Sequence, residues 1–416
     1  MTSSHAIWIV AALVVAGVVV RPFRLPEATW AVVGAALLVA TGLASPELAM
    51  HAVAKGTDVY LFLIGMMLLS ETARRVGVFD WVAAIAVDAA RGSPRLLFAL
   101  VFGVGVVVTT FLSNDATAVV LTPAVYVVAR RAKVEPLPYL FVCAFVANAA
   151  SFVLPISNPA NIVLFGDRAP PLADWLSRFA LPSIVSIAAT YAALRFVVRR
   201  DLEGSCERVV ETPVLTPGAW AALAGIGVTA IALMTVSALD RPLGWPTAIC
   251  GAATTLVSFA VARASPWGAV RNVSWSVLPL VAGLFVLVDA LASTGLVASL
   301  AETLSTASAR SPEVAAWMSG VAIALVSNVA NNLPVGLVAS STIAAAHPPR
   351  EVVDALLIGV DLGPNLSITG SLATILWLQA IRRDGEDVGF WRFLKVGAVV
   401  MTPALVLALA ARLWSA

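Results

Sequence analysis

The chain has 416 residues, of which 60% are hydrophobic and only 12% are charged, and its formal net charge is +2. Soluble domains carry about 25% charged residues, so this composition excludes an ordinary soluble globular protein. The basic residues lie in short segments between apolar runs, which gives no indication of nucleic-acid binding. Apolar runs long enough to cross a lipid bilayer recur from end to end, and they predict a polytopic, helical integral membrane protein.

Histidine and cysteine, the usual ligands of a zinc site, are few and scattered. Cys143, Cys206 and Cys250 have no CxxC spacing and no matching His, so the sequence predicts neither a permanent metal site nor a disulfide framework. No Walker A sequence occurs, which argues against ATP hydrolysis by this polypeptide. We therefore expect no cofactor and no catalytic residue. The first apolar run lacks a basic region before it, and we interpret it as a retained helix rather than a signal peptide.

A polar break interrupts the apolar run from Leu96 to Val128. Its centre is Ser113-Asn114-Asp115, followed by Thr117. A charged side chain at the centre of a bilayer costs about 2.5–3.5 kcal/mol on insertion scales, so a carboxylate at this depth usually has a function or a partner. Asn and Asp also offer the backbone alternative hydrogen bonds, which favours a helix that breaks near mid-membrane. This segment is the first candidate for a substrate or ion site.

The second half of the chain repeats the order of features in the first half, which indicates a duplicated unit. The corresponding pairs are, in order, Glu71 with Asp289, Gly77 with Gly295, Asn114-Asp115 with Asn331-Asn332, Asn148 with Asp361, Asn158 with Ser371, and Asn161 with Thr374. Paired repeats with polar breaks at matching positions are typical of secondary transporters, whose substrate site forms near the bilayer midplane.

The repeats set the expected organisation of the chain. We expect N-terminal transmembrane helices in residues 1–58, a first repeat in 59–200, a polar connector in 201–217, linking transmembrane helices in 218–276, the core of a second repeat in 277–383, and a C-terminal transmembrane helix in 384–416. The arginines at the connector favour the cytoplasmic side for this segment.

Three further polar breaks complete the set. They are residues 154–161, with Ser157, Asn158 and Asn161; residues 327–334, with Asn331 and Asn332; and residues 361–374, with Asp361, Asn365, Gly370, Ser371 and Thr374. None of the breaks contains Arg or Lys. Their amides and hydroxyls suit a small neutral polyhydroxyl solute, whose hydroxyl groups each need a partner once dehydrated, and they suit Na⁺ equally well. A divalent organic anion is less favoured, because only half-helix N-termini would supply positive potential.

Asp115 and Asp361 are the only charged side chains in the four breaks. A carboxylate in a low-dielectric cavity can exchange a proton near neutral pH, so these two residues are the candidates for proton coupling. Secondary candidates for the site are Thr117, Asn148, Asn365, Glu71 and Asp289. Glu71 is closely followed by Arg74 and Arg75, so a structural ion pair there fits the sequence as well as a transport role does.

The four breaks resemble those of the bacterial arsenite and antimonite efflux permeases, which are members of the ion transporter superfamily. The resembling phrases are Asn114-Asp115 followed by Leu121-Thr122-Pro123, then Ser157-Asn158-Pro159-Ala160-Asn161-Ile162, then Asn331-Asn332-Leu333-Pro334, and last Asp361-Leu362-Gly363-Pro364 continuing to Gly370-Ser371-Leu372-Ala373-Thr374. The resemblance covers residues 59–380, and its last phrase is the most specific. Gly370-Ser371 stands where the dicarboxylate carriers of the superfamily have a second Ser-Asn-Thr, which disfavours a dicarboxylate carrier and a two-sodium site.

The resemblance implies an all-α integral membrane protein, a polytopic bundle of about ten transmembrane helices in two inverted repeats, each with an interrupted helix and a re-entrant hairpin. It implies export of arsenite and antimonite across the cell inner (plasma) membrane as neutral hydroxides, in exchange for protons, by an elevator-like motion. Some members also bind a cytoplasmic arsenic-stimulated ATPase. The implied site comprises Asn114, Asp115, Ser157, Asn158, Asn161, Asn331, Asn332, Gly370, Ser371 and Thr374, with Asp361 near it.

Three other functions remain compatible with the residues. A sodium/proton antiporter on the same scaffold would move protons in response to sodium and would ignore arsenite. A carrier of another neutral hydroxylated solute, such as silicic or boric acid, would transport that solute. An intramembrane hydrolase is the least favoured, because it would need a nucleophile with a base and the three histidines lie outside the predicted membrane centres.

Overall fold

The computed structural model describes residues 3–21, 25–166, 170–207 and 214–415, and within these ranges the regular structure is helical, with no β-strand. The prediction of an all-α protein is therefore confirmed. Serine caps explain where several helices begin: Ser93 and Ser311 each accept a hydrogen bond from the backbone N–H three residues later, and each is followed by proline, which suits the first helical position. The helices are α1 (Ser3–Val20), α2 (Glu27–Ala40), α3 (Pro46–Lys55), α4 (Thr57–Arg75), α5 (Val78–Ala89), α6 (Pro94–Leu112), α7 (Asn114–Ala116), α8 (Thr122–Arg131), α9 (Leu137–Ala149), α10 (Pro159–Phe165), α11 (Leu172–Val197), α12 (Pro217–Ala238), α13 (Gly244–Val261), α14 (Trp267–Asn272), α15 (Val277–Ala292), α16 (Leu296–Arg310), α17 (Pro312–Ala330), α18 (Asn332–Ala346), α19 (Arg350–Leu362), α20 (Leu372–Arg383) and α21 (Phe390–Trp414).

Six of these helices are long and apolar enough to cross a bilayer, namely α6, α11, α12, α13, α17 and α21. Two bent pairs pass the same test when each is taken as one span: α3 with α4, bent by 47°, and α15 with α16, bent by 73°. The described part of the chain therefore offers six to eight candidate spans and is a multi-pass membrane protein. The expected total of about ten spans stays a prediction.

Helix boundaries in the two halves match at a constant spacing. Gly77 and Gly295 both have left-handed backbone conformations, with φ of 83° and 89°, at the starts of α5 and α16. The next helices, α6 and α17, both have 19 residues and start 218 positions apart. They are followed by Ser113 and Asn331, which have positive φ values of 93° and 68°. The backbone thus aligns Ser113 with Asn331, so the sequence pairing of Asn114 with Asn331 was displaced by one position.

The interrupted helices that follow also match. Both α9 and α19 have 13 residues, and each is followed by a short 3₁₀-helical turn, Pro155–Ser157 and Gly363–Leu366. Asn158 and Ser371 then cap α10 and α20, because each side chain accepts a hydrogen bond from a backbone N–H in the first helical turn. These two caps are the residues that the sequence comparison paired.

Helices that precede the matching segments pack against the opposite half. Helix α2 packs against α15, and α13 packs against α4. A Cβ on Gly65 of α4 would lie 2.1 Å from the carbonyl oxygen of Thr247 on α13, and one on Gly283 of α15 would lie 2.7 Å from that of Ala31 on α2. Small residues allow membrane helices to approach this closely. We propose that α1–α2 and α12–α13 belong to the repeats, which would widen the boundaries expected from the sequence.

We expect Gly251 on α13 to be intolerant of a larger residue. A Cβ there would lie 2.4 Å from the carbonyl oxygen of Gly65, so Gly251→Val must separate α4 from α13. Overpacking of this kind destabilises proteins by about 1–3 kcal/mol, which should lower the melting temperature of the detergent-purified protein. The control is Gly227→Val on α12, where no atom in the described part of the chain lies within 4 Å of the added Cβ. Equal melting temperatures for the two variants would contradict this account.

Candidate functional site

The first polar break is the tip of a helical hairpin. Adjacent connector residues Cys206 and Glu207 donate backbone hydrogen bonds to the carbonyl oxygens of Gly92 and Ala132, at 3.0 and 2.9 Å. Gly92 precedes α6 and Ala132 follows α8, so the start of α6 and the end of α8 lie at the same end of the bundle. The chain therefore reverses between them, at the positive-φ residue Ser113.

Threonines hold this tip in place. The hydroxyls of Thr109 and Thr117 share a hydrogen bond of 2.8 Å, and the Thr122 hydroxyl donates to the carbonyl oxygen of Thr117 at 3.2 Å. Thr117 also begins a five-residue π-helical turn, a feature that often occurs at functional sites. Immediately before this turn, Asn114 is buried and Asp115 is partly accessible.

The third break is bonded to the fourth. The backbone N–H of Asn332 donates to the carbonyl oxygen of Gly370 at 2.8 Å, and Asn331 Nδ2 donates to that of Thr369 at 3.3 Å. A side chain at position 370 would disturb this contact, because a Cβ there would lie 2.9 Å from Oδ1 of Asn328 in the third break, and 2.6 Å from the Cα of Pro364. The glycine therefore lets the tip between α17 and α18 rest against the break before α20.

Hydrogen bonds between the two halves connect the interrupted helices. Asn158 Nδ2 donates to Asp361 Oδ1 at 2.7 Å, and Ser371 Oγ donates to Asn148 Oδ1 at 3.4 Å. Asn158 corresponds to Ser371, and Asp361 corresponds to Asn148. The same contact is therefore made twice, once with the donor in the first half and once with the donor in the second half. Asn148 Nδ2 also donates to Asn365 Oδ1 at 2.9 Å, so two secondary candidates from the sequence lie together in this network.

The four breaks meet at a small cavity. Its polar lining consists of Asn114, Asp115, Asn158, Asn332 and Ser371, which come from all four breaks. The other lining residues are apolar, and no Arg or Lys is present among the described residues of the wall. The cavity therefore offers amides, a hydroxyl and one carboxylate to whatever enters it.

Asp115 connects this cavity with one end of the bundle. It also lines a second cavity together with Glu71, and Glu71 in turn lines a vestibule of about 3300 Å³, a volume that includes its open mouth. Residues of α8 line the vestibule, so it lies at the connector end, where α8 finishes. Its charged lining residues are Arg21, Glu27, Glu71, Arg74, Asp80, Arg382, Arg383 and Asp384.

Four buried acceptor atoms of the breaks have no hydrogen-bond partner among the described residues: Asn114 Oδ1, Asn161 Oδ1, Asn328 Oδ1 and Asp361 Oδ2. The residues Asn114, Asn161 and Asp361 are at most 2% exposed, and Asn328 is partly exposed. Buried polar atoms are nearly always paired, so each of these oxygens calls for a donor. Hydroxyl groups of a solute, or a proton on the carboxylate, are the donors that fit acceptors of this kind.

Several predicted site residues lie one layer behind the cavity. Ser157, Asn161, Asn331, Asp361, Gly370 and Thr374 hold the breaks together and do not line the small cavity as described. Ser157, for example, donates to the carbonyl oxygen of Thr110 at 3.0 Å, and Asn161 donates to that of Ser151 at 2.8 Å. Direct substrate contact for these residues stays a prediction.

Glu71 and Asp289 occupy matching positions in different surroundings. Glu71 accepts hydrogen bonds from Arg74 Nε at 2.7 Å and from Arg75 Nε at 3.0 Å. Asp289 accepts from Lys55 Nζ at 2.7 Å and lines none of the three cavities described above. Both carboxylates are in ion pairs, and only Glu71 lies between the vestibule and the small cavity.

Sequence reasoning did not select Asn328 and Ser151. Asn328 Nδ2 donates to the carbonyl oxygen of Gly363 at 2.9 Å, and its own carbonyl accepts from the Thr369 hydroxyl at 3.0 Å. The sequence signal for Asn328 was its position within the third break. It lies about one helical turn before Asn331 at the tip, and therefore on the same face of the helix as Asn331. Ser151 accepts a hydrogen bond from Asn161 at its backbone carbonyl, and its hydroxyl donates to the carbonyl oxygen of Asn148 at 2.8 Å. It lies outside the four breaks, so no sequence signal pointed to it.

Comparison with known proteins identifies a transporter family. A family model described as citrate transporter (CitMHS) matches residues 7–363. The arsenical pump membrane protein of Yersinia enterocolitica is 28% identical over 367 residues, covering 84% of each chain, and that of Escherichia coli is 26% identical over 403 residues, covering 92% of each. The crystal structure of the YdaH transporter of Alcanivorax borkumensis has a similar fold, with a TM-score of 0.58 and 16% identity over 88% of this chain and 87% of that one. These relatives confirm the resemblance to the arsenite permeases. Because the family model matches most of the chain, the protein belongs to the CitMHS citrate transporter family of membrane transporters.

Proposed function

We propose that the protein exports trivalent arsenic, as arsenous acid, and antimonite in exchange for protons. The observation that carries the proposal is the small cavity where all four breaks meet, because no cationic side chain lies among the described residues of its polar lining. Arsenous acid is neutral at physiological pH and presents only hydroxyl groups, which can both donate to and accept from amides and carboxylates. The relatives named arsenical pump membrane proteins support the same substrate.

Transport would proceed by alternating access. Arsenous acid enters through the vestibule, passes Glu71 and Asp115, and donates hydrogen bonds to the amide and carboxylate oxygens of the cavity. One repeat-derived unit then moves relative to the other in an elevator-like manner, which exposes the cavity on the opposite side. Protonation of Asp115 or Asp361 from that side favours release of the substrate and drives the return. Coupling requires that proton and substrate affect each other's binding free energy.

The vestibule faces the cytoplasm in this proposal. At its end of the bundle, α8 finishes with Arg130 and Arg131, and the connector begins after Arg199 and Arg200. Short segments rich in Lys and Arg stay on the cytoplasmic side of bacterial inner membranes. Substrate would therefore enter the cavity from the cytoplasm, as export requires. An arsenite-stimulated ATPase, where one is used, would reach the protein from this side.

A carboxylate carrier is the second candidate, because the matching family model is described as a citrate transporter. The first residues of α18 and α20 line the small cavity, and helix N-termini carry partial positive charge that favours anions. The described residues of the wall include no Arg or Lys, which argues against a multiply charged anion. Citrate is therefore a necessary comparison in any transport assay.

Uptake into inside-out vesicles with an imposed proton gradient tests the proposal. Vesicles that contain the protein should accumulate arsenite when their lumen is acidic, and a protonophore should abolish the accumulation. Antimonite should compete with arsenite, whereas citrate should not. Accumulation of citrate without arsenite would favour the second candidate. Sodium-driven proton flux without arsenite movement would favour a sodium/proton antiporter instead.

A further inference from the structure

We infer that Asp361 and Asn158 form the proton-coupling site of the transporter, and that Asn148 and Ser371 form an electrically neutral copy of it. The inference rests on the proposed function and deepens it, because it gives the two candidate carboxylates different tasks. Asp361 binds the coupling proton behind the cavity, and Asp115 contacts the substrate within the cavity.

The two contacts are built alike. Asp361 and Asn148 are each the last but one residue of a 13-residue helix, α19 and α9 respectively, and neither side chain is exposed. Each accepts a hydrogen bond from the residue that caps an interrupted helix of the other half, Asn158 for Asp361 and Ser371 for Asn148. The geometry is shared, but only one contact contains a carboxylate. Only that contact can bind and release a proton.

The atoms left without partners also differ. Both polar atoms of the Asn148 side chain are bonded, since its Nδ2 donates to Asn365 and its Oδ1 accepts from Ser371. In Asp361, Oδ1 accepts the hydrogen bond from Asn158, and Oδ2 has no hydrogen-bond partner among the residues that the structure describes. A buried carboxylate oxygen without a partner is costly while the group is ionised. The proton therefore belongs on Asp361 Oδ2.

No charged side chain bonds Asp361 within the described ranges. The helices packed against α19 include α9, α10, α17, α18 and α21. Their ionisable residues are Tyr139 and Cys143 on α9, Glu313 on α17, and Arg392, Lys395 and Arg412 on α21. On α19 itself, Asp354 lies about two turns, or roughly 10 Å, before Asp361, and there it is paired with Arg178 and Arg412. Proton binding is thus the event that changes the charge at Asp361.

Asn158 connects this proton site with the substrate cavity. Its side chain lines the cavity, its Oδ1 accepts from the backbone N–H of Ala160 at 3.0 Å, and its Nδ2 donates to Asp361. The bond to Asp361 is charge-assisted while the carboxylate is ionised, and it weakens when the proton binds. Proton and substrate therefore act on the same amide, which is the shared element that coupling needs. Asn158 is a positioning residue in this scheme.

Two assays on the full-length protein in proteoliposomes separate coupling from substrate movement. The first measures exchange of labelled arsenite at equal pH on both sides, and the second measures accumulation driven by a proton gradient. We expect Asp361→Asn to keep exchange within about threefold of wild type and to lose about tenfold or more of the accumulation. Undiminished accumulation, or an equal loss of exchange and accumulation, would overturn the inference.

Asn158→Ser tests the positioning role. Serine also caps helices, and it stands at the matching position 371, so the variant keeps the cap and removes the amide that reaches Asp361. We expect the midpoint of the pH profile of accumulation to move to higher pH by about one unit, since the ionised carboxylate loses a donor. Asn365→Ser, which removes the amide bonded to neutral Asn148 and lies outside the cavity wall, should leave the midpoint in place. Equal shifts in both variants, or none in Asn158→Ser, would contradict the inference.

A measurement without substrate distinguishes failure of this inference from failure of the proposed function. Infrared difference spectra between acidic and alkaline samples of the purified protein should contain a protonated carboxylic acid band that is absent from Asp361→Asn. If wild type shows this band but moves no arsenite, the proton site stands and the substrate assignment fails. Identical spectra for wild type and Asp361→Asn would overturn the proton site whatever the substrate is.

Discussion

Asp115→Asn is expected to lower both arsenite exchange and gradient-driven uptake by about a hundredfold, the equivalent of ~2.7 kcal/mol. Asp115 is the carboxylate in the wall of the small cavity, and it also lines the adjoining cavity that leads to the vestibule. Asparagine keeps the size of the side chain but replaces a charged acceptor with a neutral amide. The hydroxyl groups of the substrate would therefore lose a charge-assisted hydrogen bond at the point where they enter the site.

Initial rates in inside-out vesicles, normalised to the amount of protein, measure this effect. Asp80→Asn is the matched control, because Asp80 is an exposed carboxylate of the vestibule wall, and its rates should stay within about twofold of wild type. A variant at position 115 that keeps half of the wild-type exchange rate would place substrate binding elsewhere. The contrast with Asp361→Asn, which we expect to keep exchange, separates the roles of the two carboxylates.

Asp354→Ala is expected to destabilise the protein by about 3–5 kcal/mol, because it leaves buried Arg412 without its partner and leaves partly buried Arg178 with only the more exposed Asp174. Asp354 is fully buried near the start of α19. Arg178 Nε on α11 donates to its carboxylate at 2.9 Å, and Arg412 Nε on α21 donates to the same oxygen at 2.7 Å. The contact joins the ends of three helices from both halves of the chain. Its loss should sharply lower the melting temperature of the purified protein.

Asp174→Asn is the control for this effect. Asp174 also pairs with Arg178, at 3.3 Å, but its side chain is 35% exposed, so the change should cost less than about 1 kcal/mol. A triple variant, Asp354→Ala with Arg178→Met and Arg412→Met, should recover much of the stability, since it removes the unpaired charges as well as the carboxylate. A low melting temperature that persists in the triple variant would show that packing at Asp354, and not charge pairing, is the main contribution.

Much of the local structure was predictable from short sequence signals. The Ser-Pro pairs at positions 93–94 and 311–312 start α6 and α17 because serine caps the helix and proline fits its first turn. The polar breaks were visible because amides and a carboxylate are rare inside long apolar runs. The pairing of Asn158 with Ser371 also held, since both residues cap a helix after an interruption.

The exact correspondence of residues between the two halves was harder to predict from the sequence. Residue similarity placed Asn114 opposite Asn331, whereas the positive φ values place Ser113 there. Side-chain identity is a weak guide at such a tip, because the constraint acts on the backbone and several polar residues satisfy it. Matching helix lengths and matching turn conformations reveal the register directly.

By itself, the sequence determined that this is a helical membrane protein, that its polar groups cluster at four breaks, and that two carboxylates lie among them. Local propensity, capping and hydropathy depend on neighbours along the chain, so these features need no knowledge of the fold. The tertiary structure alone decided that Asn158 bonds Asp361, 203 positions away, and that Asp289 is paired with Lys55, 234 positions away. Those contacts depend on how the two halves pack against each other. That packing determines that Glu71 lines a cavity whereas the matching Asp289 does not, and it places Asp361 beside Asn158.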